Sequence, residues 1–199
     1  DGWTAMARAA LAELDAAQND DGGWGWWPGG PSRPFVSALV LEAQAVAHAA
    51  PGESRPPSLR AIAYLERAAA ALGPDTRAYS AYVLALAGRA IPNAAALLAR
   101  AVREPPAAGQ PGTVRWTERD PAELPRGEAA VIAAATQALR ARQPTAAELP
   151  GAERALLAAW GVDGWASAYD AARVAAARLE PPAAGPSGPR RVTRDGRPL

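Results

Sequence analysis

The sequence predicts an all-α protein built from antiparallel helical hairpins. Alanine-rich segments carry apolar residues at helical spacing, and proline and glycine separate each segment from the next. The alternation of apolar and polar residues that is typical of β-strands is almost absent from the sequence. About seven or eight helices joined by short loops are expected to pack as such hairpins. Because the helix faces are mostly alanine, neighbouring helices can approach closely, as in a stacked solenoid or a closed ring.

The first four helices are predicted from their apolar faces and their end signals. The first covers about residues 3–18 and stops at "NDDGG". The second begins after "PSRP", where Ser32 is expected to cap the first amides and a proline suits the first turn. The third begins near Ser58 and ends where Gly73 suits a left-handed C-cap. The fourth is expected to start with Asp75 as its N-cap.

The second half of the chain alternates weaker helices with a long loop. Residues 92–104 predict a fifth helix. The following "PPAAGQPGTVRWTERDPAELP" is so rich in proline and glycine that it predicts an extended loop. Further helices are predicted at 127–142, 152–160 and 167–179, which completes an all-α domain over residues 1–180.

Residues 181–199 are expected to form a linker or the start of a following β-domain. They contain too little apolar surface to offset the entropy of ordering them. Within them, an Asp195-Gly196 turn between strand-like residues resembles a β-hairpin that has been cut through. The chain also opens on "DGWTAM" without a start methionine, which favours a piece excised from a longer protein.

Composition narrows the possible functions. The chain has 21 basic and 20 acidic residues, so no electrostatic footprint for nucleic acid is present. Cysteine is absent, which excludes disulfides and thiol nucleophiles, and the lone His48 lacks the ligand cluster that a metal site would need. No cofactor or metal is therefore expected. No apolar run approaches the roughly 20 residues of a membrane span.

The segment "QNDDGGWGWWPGG", residues 18–30, is the most unusual stretch of the chain. It places Trp24, Trp26 and Trp27 within four residues, beside two aspartates. Glycines 22 and 23 would permit the positive-φ backbone that reverses the chain between two helices. The aspartates would cap free amides, and an indole would fold back over the helix end with its N–H on a carbonyl. A structural joint is favoured over a ligand site because no converging polar partners are evident.

The same kind of joint recurs near the other end of the chain. In "WGVDGWAS" an aspartate-glycine-tryptophan turn again lies between a helix ending at Trp160 and a helix beginning near Ser167. The residues of this second joint that match the first are Trp160, Gly164 and Trp165. The recurrence indicates repeated helical hairpins.

The joint carries a resemblance to a known superfamily. The Gln-x-x-x-Gly-x-Trp spacing formed by Gln18, Gly22 and Trp24 resembles the repeat motif of the α/α toroids, which include terpene cyclases, prenyltransferases and thioester-containing domains. The match is closest to bacterial alpha-2-macroglobulins. Their thioester-containing domain has an Asp-Gly-Gly-Trp-Gly-Trp-like turn, here Asp21, Gly22, Gly23, Trp24, Gly25 and Trp26, before a helix with Thr-Ala-x-Val-Leu.

Later segments extend the resemblance over about residues 3–180. The segments "LRAIAYLERA", "DTRAYSAYVLALAGRA" and "EAAVIAAATQAL" resemble successive helices of that domain. "DGWASAYDAARVAAARL" is similar to its terminal Trp-x-Ser-Thr-x-Asp-Thr segment, with Ala168 and Ala171 in place of the threonines. Ser37 stands where threonine is usual in the second helix. The resemblance implies a partial or open α/α toroid.

The resemblance also implies a function. Bacterial alpha-2-macroglobulins are broad-spectrum endopeptidase inhibitors, or protease traps, of the periplasm or cell surface. The chain would be a catalytically inert scaffold segment whose partners are proteases, met through the parent protein, and the adjoining macroglobulin and β-domains. The family captures its targets through a thioester in a Cys-x-Glu-Gln motif, and this chain has no cysteine with which to form one.

An enzymatic function is the alternative to a scaffold. An α/α-toroid enzyme or binding module of the terpene cyclase and prenyltransferase type stays open, although Asp20 and Asp21 do not supply the cyclase Asp-x-Asp-Asp motif. Zinc-dependent prenyl transfer is excluded because its Asp, Cys and His ligands cannot be assembled.

His48 is expected to lie at a helix C-terminus, where the dipole favours it. The tyrosines are expected to pack with their hydroxyls at the surface: Tyr64, Tyr79, Tyr82 and Tyr169.

Overall fold

The computed structural model describes residues 2–50, 55–89, 102–106, 111–116, 128–159, 167–179, 193–194 and 197–198. Its helices are α1 (Gly2–Ala16), α2 (Pro34–His48), α3 (Leu59–Ala68), α4 (Pro74–Leu86), α5 (Glu128–Arg142), α6 (Leu149–Ala158) and α7 (Ala168–Leu179). A 3₁₀ turn, Ala69–Ala71, follows α3. The strands are β1 (Val102–Glu104), β2 (Thr113–Arg115), β3 (Thr193–Arg194) and β4 (Arg197–Pro198).

The mostly helical architecture confirms the coarse fold class. Each predicted helix that falls within the described residues is present, with its ends shifted by a few residues. Strand β3 pairs antiparallel with β4 on either side of the predicted Asp195-Gly196 turn, as expected. No helix in the described part of the chain is long and apolar enough to cross a membrane.

The predicted fifth helix is wrong at its described end. Val102–Glu104 forms β1, which pairs antiparallel with β2 from the predicted loop, with Arg103 opposite Val114. The rest of that predicted helix lies outside the described residues. The hairpin packs on α6 at Gly151, where an added Cβ would lie 2.6 Å from Val114 Cγ2. Only glycine permits so close an approach between the helix and the hairpin.

Helix caps agree with the sequence predictions in part. Ser58 caps α3 as predicted, since its hydroxyl accepts the Ala61 amide. Ser32 does not cap α2, because Arg33 is the N-cap residue and the Ser32 side chain bonds elsewhere. Gly73 has φ −62°, so it is not a left-handed C-cap, and it takes the N-cap position of α4 that was predicted for Asp75.

Helices α2, α4, α5 and α7 form a cycle of contacts around the core. Helix α4 packs on α2 and α5, and α5 packs on α7. Side chains complete the cycle between α7 and α2, where the Tyr169 and Phe35 rings lie 6.3 Å apart and Arg173 pairs with Glu42. Both contacts advance in the same direction along the two helices, so α2 and α7 run parallel.

Helix α7 also runs parallel to α5. Asp170 accepts the Ala130 amide, and Arg173 donates to Gln137 further along both helices. Because Ala130 lies in the first turn of α5, the Asp170 carboxylate satisfies an amide that has no intrahelical partner. A residue of one helix therefore caps the start of another.

Burial separates two kinds of helix. Residues 129–139 of α5 are buried without interruption, and residues 78–84 of α4 are buried as well. A helix that is apolar on every side belongs in the interior. Helix α1, by contrast, leaves most of its surface exposed, including Met6, and α3 exposes Leu59. The core therefore lies within the contact cycle of α2, α4, α5 and α7.

Candidate functional site

The tryptophan turn, residues 18–30, is the first candidate site, and Trp24 is its centre. The Trp24 side chain is 3% exposed, and its indole N–H donates to Leu14 O at 2.6 Å. Leu14 lies in the last turn of α1, where carbonyls lack intrahelical donors. The prediction that an indole folds back over the helix end is therefore confirmed for Trp24.

The backbone of Trp24 is held by α2. Its amide donates to Ser37 Oγ at 2.9 Å, and its carbonyl accepts the Arg33 amide at 2.8 Å. Ser37 is fully buried and donates its own hydroxyl proton to Arg33 O at 2.8 Å. A serine or threonine is needed here because the hydroxyl must both accept and donate.

Gln18 connects the turn to α3. Its side-chain amide donates to Gly22 O at 2.8 Å and to Ser58 Oγ at 2.9 Å. Ser58 is the N-cap of α3, so one glutamine amide joins the end of α1, the turn and the start of α3. Both of these hydrogen bonds of the Gln18 side chain are therefore made within the protein.

The two motif glycines have different roles. Gly22 has φ +93°, and an added Cβ would lie 2.5 Å from Arg60 O. Gly23 does not have a positive φ, contrary to the prediction. Its constraint is space, because an added Cβ would lie 2.7 Å from Ser32 Cβ and 2.9 Å from Ser37 Oγ.

Asp21 stabilises the turn and does not cap a helix. Its Oδ1 accepts the Gly23 amide at 2.9 Å and the Ser32 hydroxyl at 2.7 Å. Partial burial would raise the pKa of Asp21, but these hydrogen bonds and the charges of Arg67 and Arg60 outweigh it and lower the pKa. The carboxylate is therefore ionised, and its Oδ1 is bonded within the turn.

Two arginines of α3 hold the turn from outside. Arg60 donates to the carbonyls of Asn19 and Asp20, each at 2.9 Å, and Arg67 donates to Asp21 O at 2.8 Å. Three consecutive carbonyls that no helix satisfies thus receive charged donors.

Trp26 and Trp27 differ from Trp24 in being exposed. They are 52% and 63% exposed. The Trp26 ring lies 6.3 Å from the Phe35 ring, and the Trp27 indole lies against Gly30, where an added Cβ would be 2.7 Å from Nε1. Of the three tryptophans in this turn, Trp24 therefore has the predicted shielding role, and Trp26 and Trp27 do not.

The second predicted joint cannot be compared with the first. Trp160, Gly164 and Trp165 lie outside the described residues. The described residue that follows, Ser167, accepts the Asp170 amide at 3.1 Å and donates to Asp170 Oδ2 at 2.7 Å. This pair forms the N-terminal cap of α7.

A second candidate site, the interior cluster, consists of Glu42, Tyr79, Gln137 and Arg173, one residue from each helix of the contact cycle. Arg173 donates to Glu42 Oε1 at 2.6 Å and to Gln137 Oε1 at 2.8 Å. The Tyr79 hydroxyl donates to Glu42 Oε2. The Arg173 guanidinium also lies over the Tyr79 and Tyr82 rings, at 4.9 and 5.0 Å from their centroids.

Electrostatics favour the ionised pair within this cluster. Burial would lower the pKa of Arg173, but the Glu42 charge and hydrogen bond raise it overall. Burial, then the Glu42 charge, raises the pKa of Tyr79 well above its ordinary value. The tyrosine therefore stays protonated as a donor, and the carboxylate and guanidinium neutralise each other.

Sequence reasoning missed most of this cluster. Glu42, Gln137 and Arg173 stand in separate helices and look like ordinary polar positions, and the prediction that Tyr79 directs its hydroxyl to the surface is wrong. One signal was available. Polar residues placed among buried positions of α5, such as Gln137 at 1% exposure, require partners.

Neither site has the donor set of a metal centre. Within the described residues, no group of three or more His, Asp or Glu side chains converges. His48 is exposed at the last residue of α2, the helix C-terminus predicted for it. Comparison with protein-family models, with curated proteins and with solved structures found no match to this chain.

Proposed function

We propose that the chain is a scaffold segment of a bacterial alpha-2-macroglobulin-like protease trap, built as an α/α toroid. The contact cycle of α2, α4, α5 and α7 supports the toroid, because parallel inner helices joined through outer helices are the arrangement that such a fold requires. The interior cluster joins all four of these helices. The proposed location is the periplasm or the cell surface, and the proposed partners are proteases and the neighbouring domains.

The observation that carries the proposal is that the polar groups of the tryptophan turn bond to other parts of the protein. The side chains of Gln18, Asp21 and Trp24 form hydrogen bonds with other groups of the protein, in the turn and beside it. A ligand site would leave some of these groups converging on open space. The motif supports a joint that sets the angle between α1 and α2.

A scaffold role also accounts for the chemistry that the chain lacks. Without cysteine it cannot form the family's thioester bond, so any covalent capture must come from another part of the protein. The proposed segment is therefore catalytically inert, and it contributes shape and rigidity.

A protease-shielding assay tests this proposal. The longer protein that contains this chain is incubated with an endopeptidase, and cleavage of a large protein substrate is compared with cleavage of a short chromogenic peptide. A trap encloses the protease, so protein cleavage should fall while peptide cleavage continues. Unchanged protein cleavage at an excess of the longer protein would refute the proposed function.

A second candidate function, a toroid enzyme or binding module, is favoured by one observation. The exposed Trp26 ring continues through Phe35 to Tyr79 and Tyr169, with ring centroids 5.5 to 6.3 Å apart. This aromatic row leads from the surface toward Glu42, which retains 17% side-chain exposure. Thermal-shift titration with a soluble oligosaccharide and with a prenyl diphosphate tests this candidate. A rise in Tm that Trp26→Ala abolishes would favour it over the scaffold.

A further inference from the structure

A cleft of about 350 Å³ lies between the β1–β2 hairpin and the start of α6. We call it the hairpin cleft. Arg103 and Thr113 of the hairpin form one wall, and Ala147, Glu148 and Arg154 form the other. Its volume is at the lower end of the range for small-molecule sites.

The walls of the hairpin cleft are fixed to each other. Val114 packs so tightly on Gly151 that an added Cβ would lie 2.6 Å from its Cγ2. Arg103 donates to Glu148 at 2.6 Å, which joins the hairpin to the residue before α6. The cleft is therefore preformed, and a ligand would not need to order it.

The acidic residues of the cleft are neutralised by the protein itself. Glu104 accepts hydrogen bonds from Thr113 at 2.6 Å and from Arg115, and these lower its pKa. The Arg103 hydrogen bond lowers the pKa of Glu148. Both carboxylates remain ionised, and each has its own arginine partner.

Among the described residues that line the cleft, Arg154 is the arginine without a carboxylate partner. It is half-buried, and its Nε donates to Gly112 O at 2.8 Å. Its two Nη atoms bond to no residue in the described part of the chain. The single Nε bond orients the guanidinium and leaves its terminal N–H groups available. A planar fork of this kind matches the two oxygens of a carboxylate.

We propose that the hairpin cleft binds a carboxylate, with Arg154 as its anchor. The carboxylate can belong to a small molecule or to an acidic side chain of a peptide, and the cleft recognises the same chemistry in both. Pro106, Val114 and Ala147 provide apolar surface for the rest of the ligand. This site is independent of the proposed scaffold function.

An NMR titration tests the site on the chain itself. The probes are benzoate, with benzamide as its neutral counterpart, and an acetylated Ala-Glu-Ala amide, with Ala-Gln-Ala as its counterpart. Arg154→Gln removes the anchor, and Arg178→Gln removes the same charge from an exposed position on α7. Ala147→Phe fills the cleft without changing Arg154, which provides a second variant if Arg154→Gln does not fold.

The expected result is saturable binding of a carboxylate probe and not of its neutral counterpart. Loss of a charge-assisted hydrogen bond should weaken binding at least about tenfold in Arg154→Gln, with no change in Arg178→Gln. Binding of benzoate indicates a small-molecule ligand, and binding of the glutamate peptide alone indicates a peptide. Absence of saturation with both probes, or equal binding to Arg154→Gln or Ala147→Phe, would overturn the proposal.

Discussion

At the scale of single residues, the tryptophan turn separates side chains that look alike in the sequence. Trp24 is enclosed and bonded at its indole, amide and carbonyl, whereas Trp27 is 63% exposed. At Gly22 the backbone has a positive φ and the Arg60 carbonyl occupies the place of a Cβ, whereas Gly29 has a positive φ in open space. Each pair allows one physical effect to be measured against a control in the same turn.

The glycine pair separates backbone strain from close packing. Gly29→Ala should cost about 1–2 kcal/mol of unfolding free energy, since only the left-handed backbone opposes it. Gly22→Ala should cost about 2–5 kcal/mol, because the new methyl group also meets Arg60 O. Urea unfolding of both variants measures the difference. Equal losses would show that the contact with Arg60 relaxes freely.

The tryptophan pair tests the structural interpretation of the motif. Trp24→Ala should lower the unfolding free energy by about 3–5 kcal/mol, because it opens a cavity and leaves Leu14 O without its indole donor. Trp27→Ala should cost about 1 kcal/mol or less, as surface substitutions do. Circular dichroism during thermal unfolding measures both. A larger loss for Trp27→Ala would contradict the joint.

At the scale of elements, the helices were predictable and the contacts between them were not. Periodicity in "PFVSALVLEAQAVAH" or "EAAVIAAATQALRAR" is a local signal, and proline and glycine mark its ends. The β1–β2 hairpin was missed because its strands are only three residues long and pair across a connection rich in proline and glycine. The interior cluster was missed because its members lie as far as 131 residues apart.

The Trp24 joint could be predicted in more detail than the other features of the sites. Its physical logic is contained in one continuous stretch from the last turn of α1 to Trp24: a helix end with free carbonyls, glycines for the turn, and an indole with one donor. The prediction of a positive φ for Gly23 is wrong because two different constraints both require glycine. One is a left-handed backbone and the other is a lack of space for a Cβ, and the sequence does not distinguish them. The exposure of Trp26 and Trp27 depends on the direction of α2, which no local pattern gives.

The interior cluster allows a test of element-to-element coupling. Arg173→Met leaves the Glu42 carboxylate, whose side chain is only 17% exposed, without its cation and should cost about 3–5 kcal/mol. The double variant Arg173→Met with Glu42→Leu should cost less than the sum of the two single changes, because neither unpaired charge remains. Tyr79→Phe, added to the wild type and to each variant, measures how much the Tyr79 hydroxyl contributes to the unfolding free energy. Additive losses in a double-mutant cycle would contradict the pairing.

At the scale of the whole molecule, acid should weaken the fold. Asp21, Glu104 and Glu148 have pKa values below their ordinary values in the folded state. A carboxylate with a lowered pKa contributes stability above its unfolded pKa of about 4, and that stability is lost as pH falls through the folded pKa. The urea midpoint should therefore drop as the pH falls below about 5 and through the folded pKa values. Asp21→Asn should flatten this dependence, and an unchanged slope would show that Asp21 gains little from the turn.

The contact cycle of α2, α4, α5 and α7 predicts that distant parts of the chain stabilise each other. Side chains complete the cycle between α2 and α7, where Glu42 pairs with Arg173. A closed arrangement predicts one cooperative unfolding transition, whereas an open solenoid allows its two ends to unfold separately.

The most direct measurement follows the unfolding of Arg173→Met in urea at two places by NMR. The Trp24 indole N–H resonance reports on the joint between α1 and α2, and amide resonances of α5 report on the region beside Arg173. If the contact cycle unfolds as one cooperative unit, the substitution lowers both midpoints by the same amount, although Trp24 does not contact Arg173. A midpoint that falls for α5 and stays at its wild-type value for Trp24 would contradict the account.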